Sequence, residues 1–138
     1  MTKPEEFLTD LGSKVPLPKE VDPKILEPIP NQWRASDYEV NLVCDEFTSL
    51  CPVTQQPDFG KILITFTPDE WLVESKSLKL YLGGYRNTGT FAEYCVNRIC
   101  QDLVDILQPR RIEVRGEFTP RGGIKIIPVA RWDKSKNG

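Results

Sequence analysis

The 138-residue chain contains no histidine. Imidazole is the side chain that most often acts as a general base near neutral pH, and it is the commonest protein ligand of metal ions. Its absence excludes Ser-His and Cys-His dyads, H-E-x-x-H motifs and every His-ligated zinc site. Any chemistry must therefore use cysteine, carboxylates, lysine, arginine or tyrosine, and we predict no metal site.

Long apolar runs, C-x-x-C pairs and a strong net charge are also missing. No stretch is apolar enough for a transmembrane helix, and the N-terminal residues MTKPEEFLTDLGSK are too polar for a signal peptide. The formal charge of −2 provides no basic field for nucleic acid. Four cysteines without a secretion signal favour free thiols in a reducing compartment. We expect a cytoplasmic protein that binds neither membranes nor nucleic acid directly.

Prolines and charged residues dominate the first quarter of the chain, residues 1–34. We predict no strand or long helix there, because so many prolines interrupt both. The segment is interpreted as an arm on the surface or on a neighbouring subunit, anchored by Ile25, Leu26, Ile29 and Trp33. Residues 35–138 are predicted to form a single domain.

Two strands are predicted at the start of this domain. Apolar residues alternate over residues 37–47 and again over 60–68. The intervening loop, residues 48–59, is long for a hairpin, and such loops are more often functional than idle. Residues 67–70 have the form of a capping box and are predicted to start a turn.

Two helices and two further strands follow. Residues 76–86 have a helix-compatible pattern, and an apolar stripe behind a second capping box, Thr90-Phe-Ala-Glu93, predicts a helix over 91–107. The stripe comprises Val96, Ile99, Cys100, Leu103, Ile106 and Leu107. Strands are predicted over 111–118 and 124–132, separated by a turn at TPRGG. The order β-β-α-α-β-β predicts an α+β fold with two helices on one face of a four-stranded antiparallel sheet.

Three segments together resemble the QueF-type nitrile reductases. They are 50-LCPVTQQPDFG-60, 73-VESKSLKLY-81 and 118-FTPRGG-123, and the resemblance extends from about Ile25 to Arg131. Members of that family are NADPH-dependent 7-cyano-7-deazaguanine reductases of the queuosine pathway. The resemblance implies the tunnelling fold, in which such units associate into a ring-shaped barrel. It also implies a homo-oligomer of stacked rings, a decamer of two pentamers, with sites between subunits. NADPH is implied by the resemblance alone, because no G-x-G-x-x-G motif is present.

The resemblance implies catalytic roles for two residues of the first segment. Cys51 would add to the nitrile carbon and form a thioimide, which accepts hydride more readily than the nitrile. Asp58 would donate a proton to the nitrile nitrogen. The residues alone leave two alternatives open: an inert loop cysteine, and a turn aspartate that follows a proline. A reactive thiolate needs cations or oriented N–H donors, and the sequence offers Lys76, Lys79 and Arg121.

A second set of residues is implied to contact the substrate: Val73, Glu74, Ser75, Phe91, Ala92 and Glu93. Glu93 would accept two N–H bonds from the guanine-like edge of the base, although the capping box offers it a competing role. Phe91 would stack on the base, with a place in the core as the alternative.

The phosphates of NADPH are assigned to Lys76, Lys79 and Arg121 by the same resemblance. The two lysines are three residues apart and share one face of a helix, a pattern that is also ordinary on a solvated surface. Cations of this kind suit a 2′-phosphate. Gly122 and Gly123 would allow close approach of the backbone.

One position departs from the family pattern, which has a His-Glu pair where this chain has Ala92-Glu93. Loss of one polar contact costs on the order of 1–3 kcal/mol, so a variant with impaired activity is one alternative. Two others are a QueF-like amidinotransferase that acts on the same nitrile in tRNA, and a non-catalytic purine or pterin binder. A zinc cyclohydrolase of the same fold is disfavoured by the absence of histidine.

Overall fold

Four antiparallel strands form the main sheet of the protein, for which a computed structural model describes residues 16–137. The strands are β2 (Val40–Leu50), β3 (Pro57–Thr67), β5 (Arg111–Phe118) and β6 (Val129–Asp133). They lie in the order β2-β3-β5-β6, and every neighbouring pair is antiparallel. The alternation seen in the sequence sets the register, because Leu42 pairs with Ile64 and Ile64 pairs with Val114.

Two helices cover one face of this sheet: α1 (Ser75–Gly83) and α2 (Ala92–Leu107). The predicted stripe of α2 is buried, apart from the partly exposed Ile106, and it packs on β5 and β6. Close approach depends on Gly116, where an added Cβ would lie 2.6 Å from Cγ2 of Val96. A single turn of 3₁₀ helix, Gly84–Asn87, follows α1, and the short α3 (Lys134–Asn137) ends the described chain. The predicted α+β architecture is confirmed.

The proline-rich arm contains a strand, so the prediction that it has none is wrong. Strand β1 (Pro28–Pro30), which follows a 3₁₀ turn at Pro23–Ile25, pairs with β4 (Trp71–Val73). The flanking residues donate the ladder bonds, and a two-stranded edge tolerates proline at both ends of β1. Residues 1–15 of the predicted arm lie outside the described residues.

Only one of the four predicted anchors is buried in the core of the chain. Leu26 is 3% exposed, whereas Ile29 is 41% and Trp33 is 73% exposed. Ile25 is partly exposed. The arm is instead held by polar contacts of the buried Asn31, whose side-chain amide donates to the carbonyl of Asp69 at 2.8 Å and accepts from Tyr38.

Several predicted boundaries are corrected by the structure. Strands β2 and β3 extend to Leu50 and Pro57, so the connection comprises residues 51–56 and is half as long as the predicted loop. The capping box at Thr90 is not formed, because the N-cap of α2 is Phe91 and no side chain caps it. Residues 69–70 form a bend, as the predicted turn requires, and lead into β4. Strand β6 begins at Val129 instead of residue 124. The predicted turn at residues 119–123 is present, with positive φ at both of its glycines.

The other face of the sheet carries both polar and apolar side chains, and Val43 and Phe59 are each 58% exposed there. Its side chains include three cross-strand or neighbouring pairs: Thr65 with Asn41, Arg131 with Glu113, and Arg115 with Glu117. Within residues 16–137, no helix is long and apolar enough to cross a membrane.

Candidate active site

Cys51 begins a compact turn at the end of β2. Its backbone N–H donates to the carbonyl of Gln56 at 2.8 Å, and its carbonyl accepts from Gln55 at 2.9 Å. Gln55 has φ of 62°, a left-handed conformation that closes the turn. The short connection between paired strands therefore fixes the backbone on both sides of the thiol, which is partly exposed.

The turn also supplies hydrogen-bond donors to the thiol. The hydroxyl of Thr54 is the main cause that lowers the pKa of Cys51, and the backbone N–H groups of Thr54 and Val53 add to it. Partial burial and the charge of Asp58 act in the opposite direction. Stabilisation of a thiolate thus comes from residues of the turn rather than from the lysines or arginine that the sequence suggested.

The other three cysteines have the opposite character. Burial raises the pKa of Cys95 to about 12 and that of Cys100 to about 11. Burial is also the main cause that raises the pKa of Cys44. Cys51 is the only one of the four whose surroundings favour the thiolate.

Asp58 lies beside this turn, because β2 and β3 pair across it. Its strand partner is Ser49, and the neighbouring pair is Leu50 with Pro57. The carboxylate forms an ion pair with Arg121, which also donates to the carbonyl of Pro57 at 2.9 Å. Arg121 is thereby brought to the predicted proton donor.

The N-terminus of α2 joins the same region through Leu50. Leu50 donates to the carbonyl of Thr88 and accepts from the N–H of Thr90, both at 3.1 Å. These bonds hold the segment that leads to α2 against the end of β2. Phe91, Ala92 and Glu93 follow Thr90 directly, so the start of α2 is held at the end of β2 where Cys51 lies.

Two exposed aromatic rings stand at this end of α2. Phe91 is 52% exposed and meets Tyr94, which is 68% exposed, in an edge-to-face contact with ring centroids 5.5 Å apart. Glu93 is exposed, and within the described residues its carboxylate has no hydrogen-bond partner. Since it does not cap the helix, it is available to a ligand.

The segment Val73–Ser75 lies at the start of α1 and has a clear structural role. The Glu74 carboxylate caps the helix, accepting from the backbone N–H groups of Lys76 at 2.8 Å and Ser77 at 2.7 Å. Val73 is buried and Ser75 is exposed. No hydrogen bond or ion pair within residues 16–137 links this segment to Cys51, Asp58 or Glu93.

A groove of about 1030 Å³ runs along β2 and reaches the start of α1. Ser75 and Lys79 line it near α1, and Pro57 and Phe59 line it on either side of Asp58 in sequence. Arg86 lies in the same groove. A smaller cavity of about 430 Å³, between the ends of β3, β5 and β6, is lined by none of the predicted site residues.

The structure therefore places six of the eleven predicted residues at one end of β2, namely Cys51, Asp58, Phe91, Ala92, Glu93 and Arg121. Val73, Glu74, Ser75, Lys76 and Lys79 lie at α1 instead. Sequence reasoning missed Thr54, Tyr94 and Arg86. Thr54 lies three residues after Cys51, a spacing at which a hydroxyl in a tight turn reaches back to the first residue. The exposure of Tyr94 and Arg86 has no comparable signal in the sequence.

Comparison with known proteins identifies the family of the chain. The family of QueF-like proteins matches residues 57–137, more than half of the chain. A reductase of Porphyromonas gingivalis, named NADPH-dependent 7-cyano-7-deazaguanine reductase, is 52% identical over 94% of this chain and 84% of its own. The chain belongs to the QueF-like family.

Other relatives of this QueF-like protein carry the same name. That of Streptococcus thermophilus is 52% identical over 99% of this chain and 85% of its own, and that of Bacteroides fragilis is 50% identical over 97% and 89%. Both alignments leave almost none of this chain uncovered. The resemblance inferred from three segments is confirmed.

A solved structure supports the fold. An archaeosine synthase described as QueF-Like, in the apo form, has a TM-score of 0.65 over 72% of this chain and 96% of its own. The identity is 17%, so the likeness concerns the fold alone. The QueF-like protein described here has the tunnelling fold, as predicted.

Proposed function

We propose that this protein reduces the nitrile of 7-cyano-7-deazaguanine to a primary amine, using NADPH, in the biosynthesis of queuosine. The relatives that share about half of its residues carry this activity in their names. Reduction of a nitrile to an amine requires four electrons, hence two hydrides from two molecules of NADPH. No residue of the chain has to undergo net oxidation or reduction.

The observation that carries the mechanism is the turn around Cys51. A thiolate that adds to the nitrile carbon converts it to a thioimide, whose carbon is a better hydride acceptor. Hydrogen bonds within the turn favour this thiolate. Asp58, on the strand that pairs with the end of β2, would donate the proton to the nitrile nitrogen. Phe91 and Glu93 would hold the base by stacking and by accepting its N–H groups.

We propose that the groove along β2 accommodates the cofactor. Lys79 and Arg86 supply two cations to this groove, which also borders the strand that carries Asp58. Lys76 is the second residue of α1, and its backbone N–H donates to the Glu74 carboxylate. Phosphates of NADPH would bind these cations, and the nicotinamide would point toward Cys51.

Subunit association would complete the site. Phe91, Tyr94 and Glu93 are exposed on one chain, whereas small-molecule sites bury most of the ligand. We propose a homo-oligomer of the ring type found in this fold, in which a neighbour covers these side chains. We also propose a cytoplasmic location, which suits four cysteines present as free thiols.

Intact mass spectrometry tests the mechanism directly. With 7-cyano-7-deazaguanine and no NADPH, the wild-type mass should increase by one substrate, and Cys51→Ala should remain unmodified. An adduct that persists in Cys51→Ala, or none in either protein, would overturn the role of Cys51. With NADPH present, its absorbance should fall only when the nitrile is added.

The second candidate is the QueF-like amidinotransferase that acts on the same nitrile in tRNA, which the sequence resemblance leaves open. It would form the same adduct and leave NADPH unconsumed. A non-catalytic binder would bind the base without forming an adduct. The two measurements therefore separate all three functions.

A further inference from the structure

Arg121 contacts the proton donor itself. Its Nη2 atom forms an ion pair with Oδ1 of Asp58 and also donates to the carbonyl of Pro57 at 2.9 Å. One guanidinium therefore holds both the carboxylate and the backbone at the start of β3. The cofactor role predicted from the sequence gave no reason to expect this contact.

Arg121 lies at the start of a tight hairpin turn. Residues 121–124 form a two-residue turn, in which Arg121 and Ile124 exchange backbone hydrogen bonds of 2.9 and 3.0 Å. Gly122 and Gly123 have φ of 58° and 79°, the signs required by a type I′ turn. The turn sets the backbone conformation at Arg121, and the side chain is then held by Asp58 and the Pro57 carbonyl.

The hairpin is also attached to the strand that carries Asp58. Both the backbone N–H and the hydroxyl of Thr119 donate to the carbonyl of Phe59, at 2.9 and 3.1 Å. These bonds continue the ladder between β3 and β5 by one residue beyond the pair of Gly60 with Phe118. Arg121 and Asp58 therefore lie just beyond the end of the β3–β5 ladder, where the ion pair joins the two segments.

We propose that Arg121 is a positioning residue for the proton transfer that Asp58 carries out during thioimide formation. The proposal rests on the proposed function and deepens it. The guanidinium occupies Oδ1 of Asp58, and within the described residues Oδ2 has no hydrogen-bond partner. Oδ2 is therefore the oxygen that is available to carry the proton between Cys51 and the substrate.

The step balances without any further reactant. The proton of the Cys51 thiol first passes to Oδ2 of Asp58 and leaves the thiolate, whose sulfur bonds to the nitrile carbon as one π bond of the nitrile breaks. Oδ2 then delivers this proton to the nitrile nitrogen, which gives a neutral thioimide. Asp58 returns to the carboxylate that Arg121 stabilises by a charge-assisted hydrogen bond. Nothing is oxidised or reduced, so NADPH is not needed in this step.

Adduct formation without NADPH therefore distinguishes positioning of Asp58 from cofactor binding. At saturating 7-cyano-7-deazaguanine, Arg121→Ala should form the adduct about tenfold more slowly or worse, the effect of losing one charge-assisted hydrogen bond. Guanidinium ions added to the solution should restore part of the rate, and Arg121→Lys should lie between the two proteins. Rapid-mixing absorbance and intact mass would follow the reaction.

Arg115→Ala is the matched control. Arg115 also pairs with a carboxylate, Glu117, at 2.9 Å, and its side chain is 41% exposed against 49% for Arg121. It lies on the other face of the sheet, and its removal should leave the adduct rate unchanged. Melting temperatures of all variants identify loss of folding. If Arg121→Ala does not fold, Arg121→Gln, which retains a donor for the Pro57 carbonyl, takes its place.

Two negative results are possible, and they have different meanings. A wild-type adduct rate in Arg121→Ala, with a raised KM for NADPH, would make Arg121 a cofactor ligand only and overturn the inference. No adduct in the wild-type protein would instead overturn the proposed function, and the two failures are therefore distinguishable.

Discussion

At the scale of single residues, the four cysteines differ enough in environment to be separated by their reactivity. Hydrogen bonds from Thr54 lower the pKa of Cys51, whereas burial raises the pKa of Cys95 to about 12 and of Cys100 to about 11. A cysteine with a lowered pKa has a larger thiolate fraction at neutral pH. A cysteine with a raised pKa stays protonated until the pH is strongly alkaline. Reactivity at neutral pH should therefore belong to Cys51.

Alkylation tests this directly. At neutral pH, limiting iodoacetamide should modify Cys51 first and should inactivate the protein in parallel. Peptide mass spectrometry would locate the label, with Cys51→Ser as the control that should resist modification. Equally fast labelling of Cys44, whose thiol is partly buried and has a raised pKa, would contradict the assignment.

Position 92 tests the one departure from the family pattern. Ala92 is the first residue of α2, beside the exposed carboxylate of Glu93. If a histidine there contacts the substrate, Ala92→His should lower KM for the nitrile or raise kcat by about fivefold or more, as expected for one added polar contact. Gln101→His, on an exposed part of the same helix, should change neither constant. Unchanged kinetics in Ala92→His would show that this position does not contact the substrate.

At the scale of elements, the arm is fastened to α1 by a buried hydroxyl. Ser77 is 4% exposed, and its hydroxyl donates to the carbonyl of Glu74 at 2.7 Å and accepts from the N–H of Glu27 at 3.0 Å. The N–H of Glu74 in turn donates to the carbonyl of Glu27 at 2.9 Å. These bonds join β1 to the start of α1, so the arm supports the segment predicted to contact the substrate.

Removal of this hydroxyl should loosen the arm. In Ser77→Ala the N–H of Glu27 and the carbonyl of Glu74 lose a partner, and the free energy of unfolding should fall by about 1–3 kcal/mol. Urea denaturation measures the change, and tryptic cleavage at the exposed Lys24 should become faster. Ser135→Ala removes an exposed hydroxyl that bonds to Asp133, and its effect should stay within about 0.5 kcal/mol. Equal stability of the two variants would contradict this role of Ser77.

Local pattern was sufficient to predict the elements that depend on it. The stripe of α2 and the alternation of β5 reproduce the observed bounds within a residue or two. Strand β1 could not be predicted, because its pairing with β4 joins segments more than 40 residues apart and no local signal marks either partner. The length of the loop at Cys51 was overestimated because a proline followed by an aspartate is typical of a turn, although Pro57 and Asp58 both belong to β3.

Only part of the candidate site could be predicted, because local pattern identifies residue types but not contacts between distant segments. Motifs identified Cys51, Asp58 and Glu93 as residue types suited to the chemistry, and strand pairing brings them to one end of the sheet. The ion pair of Asp58 with Arg121 depends on the hairpin after β5, a contact over 63 residues of sequence. The donors on Cys51 depend on the left-handed conformation of Gln55, which is not a glycine and carries no sequence signal.

At the scale of the whole molecule, the predicted residues form two groups on one chain. Cys51, Asp58 and Glu93 lie at one end of β2, and Ser75 lies at the start of α1. The helix between Ser75 and the segment that meets Leu50 has nine residues, about 13 Å of length. If the substrate contacts both groups, we expect the Cys51 group of one chain and Ser75 of a neighbouring chain to form one site.

Complementation between inactive subunits tests this arrangement. Cys51→Ala removes the nucleophile, and Ser75→Trp should block the exposed start of α1. If one site draws Cys51 and Ser75 from different chains, some sites in a refolded mixture combine two intact halves. Equal mixing should then restore about a quarter of wild-type activity, as random pairing across a repeated interface requires. If both residues act from the same chain, every site keeps one defect and the mixture stays inactive. Size-exclusion chromatography of the two variants, which should elute like the wild-type oligomer, excludes failed assembly as the cause.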